Sequence, residues 1–231
     1  KCFIHRYWSS NSNWPYEWMD LCPDIIYVSS AGSDDNVGSE SNPFATIQAA
    51  LNAVFEGDSI YVQSGTYTEN IQWPNTTGIQ LYSLLGAEQT IIDGNAAGSV
   101  IDFGDGQAWG SITVQGFTIR NGSESSGAGL RISFPSNSSD GIILDNLIIE
   151  DNHGSSGGGV WISSVRGSYV LKNSIVRNNT GTAIWGNGMG EASFSIENTL
   201  IHDNEGGAYG YGNFSEGHGL NVINCTIVNN N

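Results

Sequence analysis

A seven-residue motif that recurs through the second half of the chain constrains the fold more than any other feature. Each copy starts with asparagine, continues through a short apolar run and ends in Asp-Asn or Asn-Asn. The copies occupy residues 146–152, 173–179, 198–204 and 224–230, and 116–119 form a degenerate earlier copy. Repeats of about 20 to 50 residues indicate stacked supersecondary units, because one unit alone cannot bury its apolar face. The repeat therefore predicts a solenoid.

Three short apolar runs in each period predict three β-strands per coil, so the solenoid is expected to be all-β. One column of strands comprises residues 100–101, 130–132, 160–162 and 184–185, and a second comprises 112–114, 142–144, 169–171, 194–196 and 220–222. The asparagine motif supplies the third column, and its alternation places Leu147 and Ile149 inside the coil. The leading asparagine is expected in the left-handed conformation, in a hydrogen-bonded ladder with its equivalents in neighbouring coils.

The first part of the chain carries a further series of short motifs, at residues 26–29, 32–34, 38–39, 42–48, 57–62 and 65–67. Together with the repeat, this series resembles the pectin-lyase-like superfamily of right-handed parallel β-helices, over residues 25–231. Both secreted polysaccharide lyases and non-enzymatic bacterial surface proteins open with similar motifs. The resemblance therefore specifies the fold, a right-handed parallel β-helix, and leaves the activity open.

The segment after Pro43 predicts an α-helix over residues 43–56. Asn42 is a suitable N-cap and Pro43 suits the first helical position. Apolar residues then recur at helical spacing until Gly57, which ends the pattern. We expect this helix to form an N-terminal α-helical cap on the first coil.

Residues 1–24 lack the coil pattern and are predicted to form an aromatic, Cys-containing N-terminal arm. Its tryptophans are Trp8, Trp14 and Trp18. So much aromatic area is expected to be covered, either by the chain's own helix or by another subunit. The domain organisation expected is thus the arm at 1–24 and the β-helix at 25–231.

The three cysteines leave one unpaired if a disulfide forms within the chain. Cys2 and Cys22 bracket the arm, and a local bond between them is the first hypothesis. Cys225 falls in the buried column of Phe117, which favours a reduced core cysteine. A bond from Cys225 to the arm of a neighbouring subunit is the alternative.

The last coil runs to Asn231 without a capping element, so its strand edges and apolar residues need a cover. Either further coils lie beyond Asn231, or the N-terminal arm of the next subunit covers this end. The second reading predicts head-to-tail assembly of the chain with itself, with the arm tryptophans and the cysteines as contacts. The favoured function is therefore a non-catalytic structural protein of a fibre or surface layer.

Composition limits the range of partners. The chain has 7 basic and 23 acidic residues, a net charge of −16, which argues against nucleic acid and anionic membranes as partners. No apolar run approaches the length of a membrane span, so no membrane insertion is expected. A chain that starts at Lys1 indicates a removed signal peptide or an excised segment, and we expect an extracellular or cell-surface location.

Six Asn-x-Ser/Thr triplets are candidate glycosylation sites, although a chain this rich in Asn, Ser and Thr produces some by chance. They begin at Asn75, Asn121, Asn137, Asn178, Asn213 and Asn224.

Lyases of the pectin-lyase-like superfamily use a basic residue as proton acceptor and clustered acids that hold Ca²⁺. Candidates here are Arg131, Arg166, Lys172 and Arg177 as bases, and Asp145, Glu150, Asp151, Glu197 and Asp203 as acids. Column alignment favours a structural interpretation, in which charges alternate in ladders one coil apart. One ladder comprises Asp145, Lys172 and Glu197, and the other comprises Arg120, Glu150, Arg177 and His202. We therefore assign no catalytic residue.

Two further motifs are weak evidence for a catalytic or metal-binding site. Gly217-His218-Gly219 is similar to a short motif of the polygalacturonases, but the paired aspartates and the Arg-x-Lys of those enzymes are missing here. Residues 34–38 have part of the oxygen-rich spacing of a calcium loop without its closing glutamate. A tight turn explains them equally well, so we expect no cofactor, with Ca²⁺ at this loop as the alternative.

Trp161 and Trp185 are predicted to be neighbours on the outer face of one column of strands. Two stacked exposed tryptophans are suited to binding sugar rings, although a loop, the arm or a neighbouring subunit would also cover them. They support the second functional hypothesis, a polysaccharide lyase or carbohydrate-binding β-helix that acts on acidic glycans. Residues Ile148, Ile175 and Leu200 are predicted to form an outward apolar stripe on a second wall.

Overall fold

The computed structural model describes residues 24–104, 110–134, 141–164, 166–187, 192–212 and 219–231, and the backbone of two short strands before them. The described chain is an all-β parallel solenoid with one short helix. Three parallel sheets, named A, B and C here, form its walls, and the chain visits them in that order in successive coils. Strands β1 (Phe3–Ile4) and β2 (Met19–Asp20) form a separate antiparallel pair.

The strands of the three walls are short, and each pairs with its equivalents in the coils on either side. Sheet A contains β3 (Ile25–Val28), β4 (Ser59–Val62), β7 (Gln80–Ser83), β10 (Ile112–Gln115), β13 (Gly141–Asp145), β16 (Ser168–Lys172), β19 (Ser193–Glu197) and β22 (Gly219–Ile223). Sheet B contains β5 (Gly65–Thr68), β8 (Thr90–Asp93), β11 (Thr118–Arg120), β14 (Ile148–Glu150), β17 (Ile175–Arg177), β20 (Leu200–His202) and β23 (Thr226–Val228). Sheet C contains β6 (Ile71–Gln72), β9 (Ile101–Asp102), β12 (Leu130–Phe134), β15 (Val160–Ser164), β18 (Ile184–Asn187) and β21 (Tyr209–Tyr211).

The predicted strand columns are confirmed in their register. Ile142 pairs with Tyr169 in sheet A, Ile149 with Val176 in sheet B, and Val160 with Ile184 in sheet C. Inward residues of all three walls are buried in one continuous apolar core, except in the last coil, where Leu220, Val222 and Ile227 are exposed. Because the alternation of each strand has a period of two, this register fixes which side chains reach the outer faces.

The bends between walls depend on left-handed backbone positions. The leading asparagines of the motif adopt positive φ angles, 52° at Asn146 and Asn173, 48° at Asn198 and 53° at Asn224. Asparagine tolerates this region better than most residues, so the prediction for this position is confirmed. The sixth residue of each motif is also left-handed, with φ of 53° at Asp151. Each motif therefore bends the chain both before and after its strand.

The continuous amide ladder forms at the last asparagine of the motif, not at the leading one. Asn152, Asn179, Asn204 and Asn230 stack, and the amide nitrogen of each donates to the side-chain oxygen of the next at 2.8 to 3.0 Å. The first three are fully buried. At the leading position, the exposed Asn198 donates to Asn173 at 3.3 Å. The predicted ladder is therefore weaker than the buried one.

The helix is shorter than predicted. Helix α1 spans Ile47–Ala53, and its N-cap is Thr46, whose hydroxyl accepts from the Ala49 N–H at 3.1 Å. The predicted start at Asn42 and Pro43 is therefore wrong. Its first N–H groups are bound by distant carboxylates, as Glu69 accepts from Ile47 and Gln48 at 2.9 Å.

Helix α1 packs on the first coil. Ile47, Ala50 and Leu51 are buried, and the helix contacts β3, β4 and β6. The Gln48 side chain also binds the backbone of Gln72, accepting its N–H at 2.8 Å and donating to its carbonyl at 3.1 Å. The helix thus supplies hydrogen bonds to the backbone of the edge strand of sheet C. Its role as the cap of the solenoid stays a prediction.

Glu69 gives this helix contact a dependence on pH. Burial raises the pKa of Glu69 above its usual 4.5, the N–H bonds from Gln48 and Ile47 partly offset this, and the charge of Asp34 adds to the rise. Because the folded state then binds the proton more tightly, the contribution of Glu69 to stability is full below pH 4.5 and is lost as pH rises through the folded pKa.

Replacing Glu69 with glutamine is expected to remove this dependence, since glutamine stays neutral. Urea unfolding of both proteins from about pH 4 to about pH 7 measures it. The free energy of unfolding of the wild type should fall relative to that of the variant as pH rises. Parallel curves would contradict the assignment.

The side chains of residues 1–23 lie outside the described residues, so the predictions for the aromatic arm are not tested by the fold. In the part of the chain that the structure describes, no helix is long and apolar enough to span a membrane.

Candidate functional site

A single line of outward side chains crosses sheet C from coil to coil. Backbone pairing places Gln72 beside Asp102, Asp102 beside Arg131, Arg131 beside Trp161, and Trp161 beside Trp185. The two tryptophans are therefore neighbours on the outer face, as predicted. Successive strands lie about 4.8 Å apart. Side chains in this line present a continuous surface along the solenoid.

The centre of the line is an ion pair beside an indole ring. One guanidinium nitrogen of Arg131 lies 3.0 and 3.2 Å from the two carboxylate oxygens of Asp102. The side chains of Arg131 and Asp102 are 29% and 19% exposed, so water reaches the pair. The guanidinium carbon also lies 5.6 Å from the centroid of the Trp161 ring, within range of a cation–π contact. These contacts hold Arg131 along the wall.

Trp185 lies against the backbone of the following strand. A Cβ atom at Gly210 would overlap its six-membered ring, and a Cβ atom at Gly212 would lie 3.7 Å from its Nε1. Small residues on β21 therefore leave room for the indole to rest on the wall. Trp161 and Trp185 are both half-buried, which leaves part of each ring accessible.

Polar side chains flank the aromatic line on both sides. Ser133, Ser163 and Asn187 pair in a second outward column of sheet C. On the other side, a cleft of about 580 Å³ is lined by the line itself and by turn residues. The residues of this cleft are Gln72, Gly98, Ser99, Asp102, Glu124, Ser125, Ser126, Arg131 and Trp161. Hydroxyl and amide groups beside aromatic rings are typical of a surface that binds a polar chain.

A second shallow depression continues this cleft along the turns between sheets B and C. It shares Glu124 and Ser125 with the first and adds His153 and Thr180. Ser125 Oγ donates to Glu124 at 3.0 Å, and Ser155 Oγ donates to the Ser125 carbonyl at 3.1 Å. The two depressions together extend the polar rim over several coils.

Comparison with known proteins identifies the family. Residues 30–230 match the family described as protein of unknown function DUF1565. The chain belongs to the DUF1565 family. Over 74 residues, 30% of the chain, it is 40% identical to pectate lyase PEL9 of Emericella nidulans, and this stretch is 18% of that lyase.

Solved structures show the same fold. Pectin methylesterase PemA from Erwinia chrysanthemi aligns with 80% of this DUF1565 protein and 60% of its own chain, with a TM-score of 0.52 and 15% identity. A rhamnogalacturonan lyase aligns with 87% of this chain and 67% of its own, with a TM-score of 0.45 and 16% identity. The match to PemA and the three parallel sheets show that the DUF1565 protein has a pectin-lyase-like parallel β-helix fold, which confirms the resemblance. It spans less than two thirds of the esterase and less than a fifth of the pectate lyase.

The residues considered for a lyase lie on different walls of the DUF1565 protein. Lys172 is on sheet A, Arg177 on sheet B and Arg131 on sheet C. Lys172 pairs with Asp145 at 3.7 Å, and Arg177 pairs with Glu150 at 2.6 Å. The structure therefore does not bring these bases into one site.

The predicted charge ladders form in register. Asp145, Lys172 and Glu197 are successive partners in sheet A, as are Arg120, Glu150, Arg177 and His202 in sheet B. Arg120 also pairs with Asp93 at 2.9 Å. Burial alone would raise the pKa of Asp93, but bonds from the Asn95 N–H, Arg120 and Asn121 outweigh it and lower the pKa. His202 pairs with Asp203 at 2.7 Å, and Asp151 is exposed at a turn.

The loop at residues 34–38 has a structural role. Asp34 accepts the N–H groups of Ala45 and Thr46 and the Thr46 hydroxyl, each at 2.9 Å. In the described ranges, no group of three or more His, Cys, Asp or Glu side chains is arranged to hold a metal ion. The alternative of Ca²⁺ at this loop stays a prediction. His218 lies outside the described residues.

Head-to-tail assembly also stays a prediction. Cys2, Trp8, Trp14, Trp18 and Cys22 lie outside the described residues. Cys225 is half-buried and unbonded to another cysteine within the described part of the chain, with Sγ 3.3 Å from the carbonyl oxygens of Ile196 and Ile223. The apolar residues of the last coil are exposed by 40 to 49% at Leu220, Val222, Ile223, Ile227 and Val228.

The glycosylation candidates differ in accessibility. Asn75, Asn178 and Asn224 are exposed, and Asn178 and Asn224 occupy left-handed bends. Asn121 is half-buried, and its amide nitrogen donates to Asp93 at 2.9 Å, so a glycan there would displace this bond. Asn137 and Asn213 lie outside the described residues. Glycosylation itself stays a prediction.

Sequence reasoning missed several residues of the sheet C surface. Asp102 was the main omission, although extending the 100–101 run by one residue would have aligned it with Arg131. Ser133, Ser163 and Asn187 follow from the same alternation, two positions after Arg131, Trp161 and Trp185. Gly210 carried no signal in the sequence, because a glycine in a glycine-rich chain does not identify its neighbour.

Proposed function

We propose that this protein binds a polysaccharide chain along the outer face of sheet C. The observation that carries the proposal is the in-register line of Arg131, Trp161 and Trp185 beside a polar cleft. Aromatic rings offer a large apolar contact to sugar rings, and the flanking hydroxyl and amide groups offer hydrogen bonds to sugar hydroxyls. A line of this kind suits an extended ligand more than a compact one.

Similarity to carbohydrate-active proteins supports this choice of ligand. A stretch of the chain is similar to a pectate lyase, and the fold is that of a pectin methylesterase. An extracellular or cell-surface location would give the protein access to polysaccharides. The similarity covers a small part of the lyase, so the proposal concerns binding and leaves the activity of the longer relatives aside.

The positions of the candidate lyase bases favour binding of a polysaccharide over its cleavage. Three of those bases, Arg131, Lys172 and Arg177, are paired with acids on three separate walls, and the pairs explain their positions. A proton acceptor has to lie within reach of the same sugar as the groups that bind its carboxylate.

Replacing Trp161 with alanine is expected to weaken binding to soluble pectin about tenfold, a loss of about 1.4 kcal/mol, because the ring at the centre of the line is removed. Pectin contains both methyl-esterified and free uronate stretches, so its binding tests the surface whatever the charge preference. Affinity electrophoresis in gels that contain pectin measures the effect.

Tyr82→Ala is the matched control. Tyr82 is an outward, half-buried aromatic residue on sheet A, where it contacts Tyr61 with ring centroids 5.8 Å apart. Its removal should leave binding unchanged. Equal retardation of wild type and the Trp161 variant would refute the proposed surface.

A further inference from the structure

On the sheet C face, the positive charge of Arg131 is already balanced by the carboxylate of Asp102. Among the residues that line the cleft, the charged side chains are Asp102, Glu124 and Arg131. Arg131 contacts both carboxylate oxygens of Asp102 at 3.0 and 3.2 Å. Glu124 is exposed on the rim and accepts from the backbone N–H and hydroxyl of Ser125. The lining therefore has one more negative than positive group.

A uronate carboxylate would meet an unfavourable environment here. Proteins bind carboxylates most strongly through a guanidinium that offers parallel N–H donors. The guanidinium of Arg131 already contacts Asp102, so an incoming carboxylate would compete with that group and be repelled by it. The whole chain adds to this repulsion through its net charge of −16, which disfavours the approach of a polyanion at low ionic strength.

The uncharged groups of the face are arranged in columns that a neutral sugar chain would use. Trp161 and Trp185 follow each other along the wall, and Ser133, Ser163 and Asn187 form the parallel polar column. Stacking on an indole ring depends on apolar contact and does not require charge on the sugar. Serine hydroxyls and an asparagine amide donate to and accept from sugar hydroxyls.

We infer that the sheet C face selects an uncharged polysaccharide, one whose sugars carry no free carboxylate, and that the Asp102–Arg131 pair sets this preference. The inference rests on the proposed function and names its ligand class. It departs from the hypothesis, made from the sequence, that the ligand is an acidic glycan. The reason is that Asp102 neutralises the charge of Arg131 within the wall. Asp102 acts here as a specificity residue that keeps Arg131 from recruiting carboxylates.

The test compares polygalacturonate with its fully methyl-esterified form at equal chain length, two ligands that differ in whether each carboxyl group is charged or carries a methyl ester. Titration calorimetry of the intact protein at low salt, with and without Ca²⁺, should show binding of the ester roughly tenfold tighter than binding of polygalacturonate. Equal or tighter binding of polygalacturonate, in either condition, would overturn the inference and leave the proposed function standing. Binding of neither ligand would overturn both.

A pair of charge-matched variants tests the assigned residue. Asp102→Asn should raise the affinity for polygalacturonate roughly tenfold more than it changes the affinity for the ester, because Arg131 is released from its carboxylate partner. Asp145→Asn makes the same change of net charge beside Lys172 on sheet A, and should leave both affinities as in the wild type. Equal gains in the two variants would show that net charge alone is responsible and would overturn the role of Asp102.

Discussion

Replacing Asn179 with alanine is expected to lower the free energy of unfolding by about 4 kcal/mol, a large part of the stability of an ordinary domain. The Asn179 amide nitrogen donates to Ile149, Arg177 and Asn204 at 2.9 to 3.0 Å. Its side-chain oxygen accepts from the backbone and the side chain of Asn152 at 3.1 and 3.0 Å. The variant would remove these bonds, and each bond lost from a buried group costs about 1 to 3 kcal/mol.

Asn173→Gly is the matched control for this prediction. Asn173 is exposed and occupies a left-handed position with φ of 52°, which glycine adopts without strain. Its loss should cost less than about 1 kcal/mol. Urea unfolding followed by circular dichroism measures both variants. A loss at Asn179 no larger than that at Asn173 would mean that the buried ladder contributes little to stability.

Gly122→Ala is expected to lower the free energy of unfolding by about 3 kcal/mol. Gly122 is buried, and an added Cβ would overlap the carbonyl oxygen of Ala128. That oxygen accepts the Val100 N–H at 2.9 Å, and the Gly122 N–H itself donates to Asn152 Oδ1 at 2.9 Å. Because the clash is with backbone, relief requires a shift that disturbs the bonds between adjacent coils.

The control for this substitution is Gly219→Ala. A Cβ at Gly219 has no neighbour within 4 Å, so alanine fits there without displacement. We expect a change of less than about 1 kcal/mol. Thermal unfolding of the two variants and the wild type under one set of conditions separates the effects. A Gly122 variant that melts with the wild type would disprove the steric argument.

Much of the fold follows from the sequence because the repeat and the two-residue alternation act together. The repeat aligns the coils, and the alternation then decides which residues face the core, as at Leu147 and Ile149. The left-handed asparagines follow from a local preference that needs no tertiary information. The start of the helix could not be predicted in this way. Asn42 and Pro43 satisfy the local rules, yet carboxylates at Asp34 and Glu69 bind the N–H groups that define its first turn.

The candidate site was predictable only in part. Trp161 and Trp185 could be aligned because Val160 and Ile162 fixed the phase of Trp161, and Ile184 before Trp185 matched it. Asp102 lies at the end of a strand of two residues, where the apolar pattern is too short to show that the strand continues. The buried ladder was missed for a related reason. Its asparagines follow the strand in every copy, but only the path of the bend shows that they turn inward.

The connections between walls differ in how much their lengths vary from coil to coil. From β10 onward, sheets A and B are joined by the same short bend in successive coils, formed by Asn146 and Leu147 in one and by Asn173 and Ser174 in the next. From sheet C to sheet A the chain takes residues 165–167 in one coil and 212–218 in another. The connections beside sheet C therefore differ in length between coils while the stacked strands keep their register. An architecture of this kind can therefore change the borders of one wall without altering the stacked scaffold.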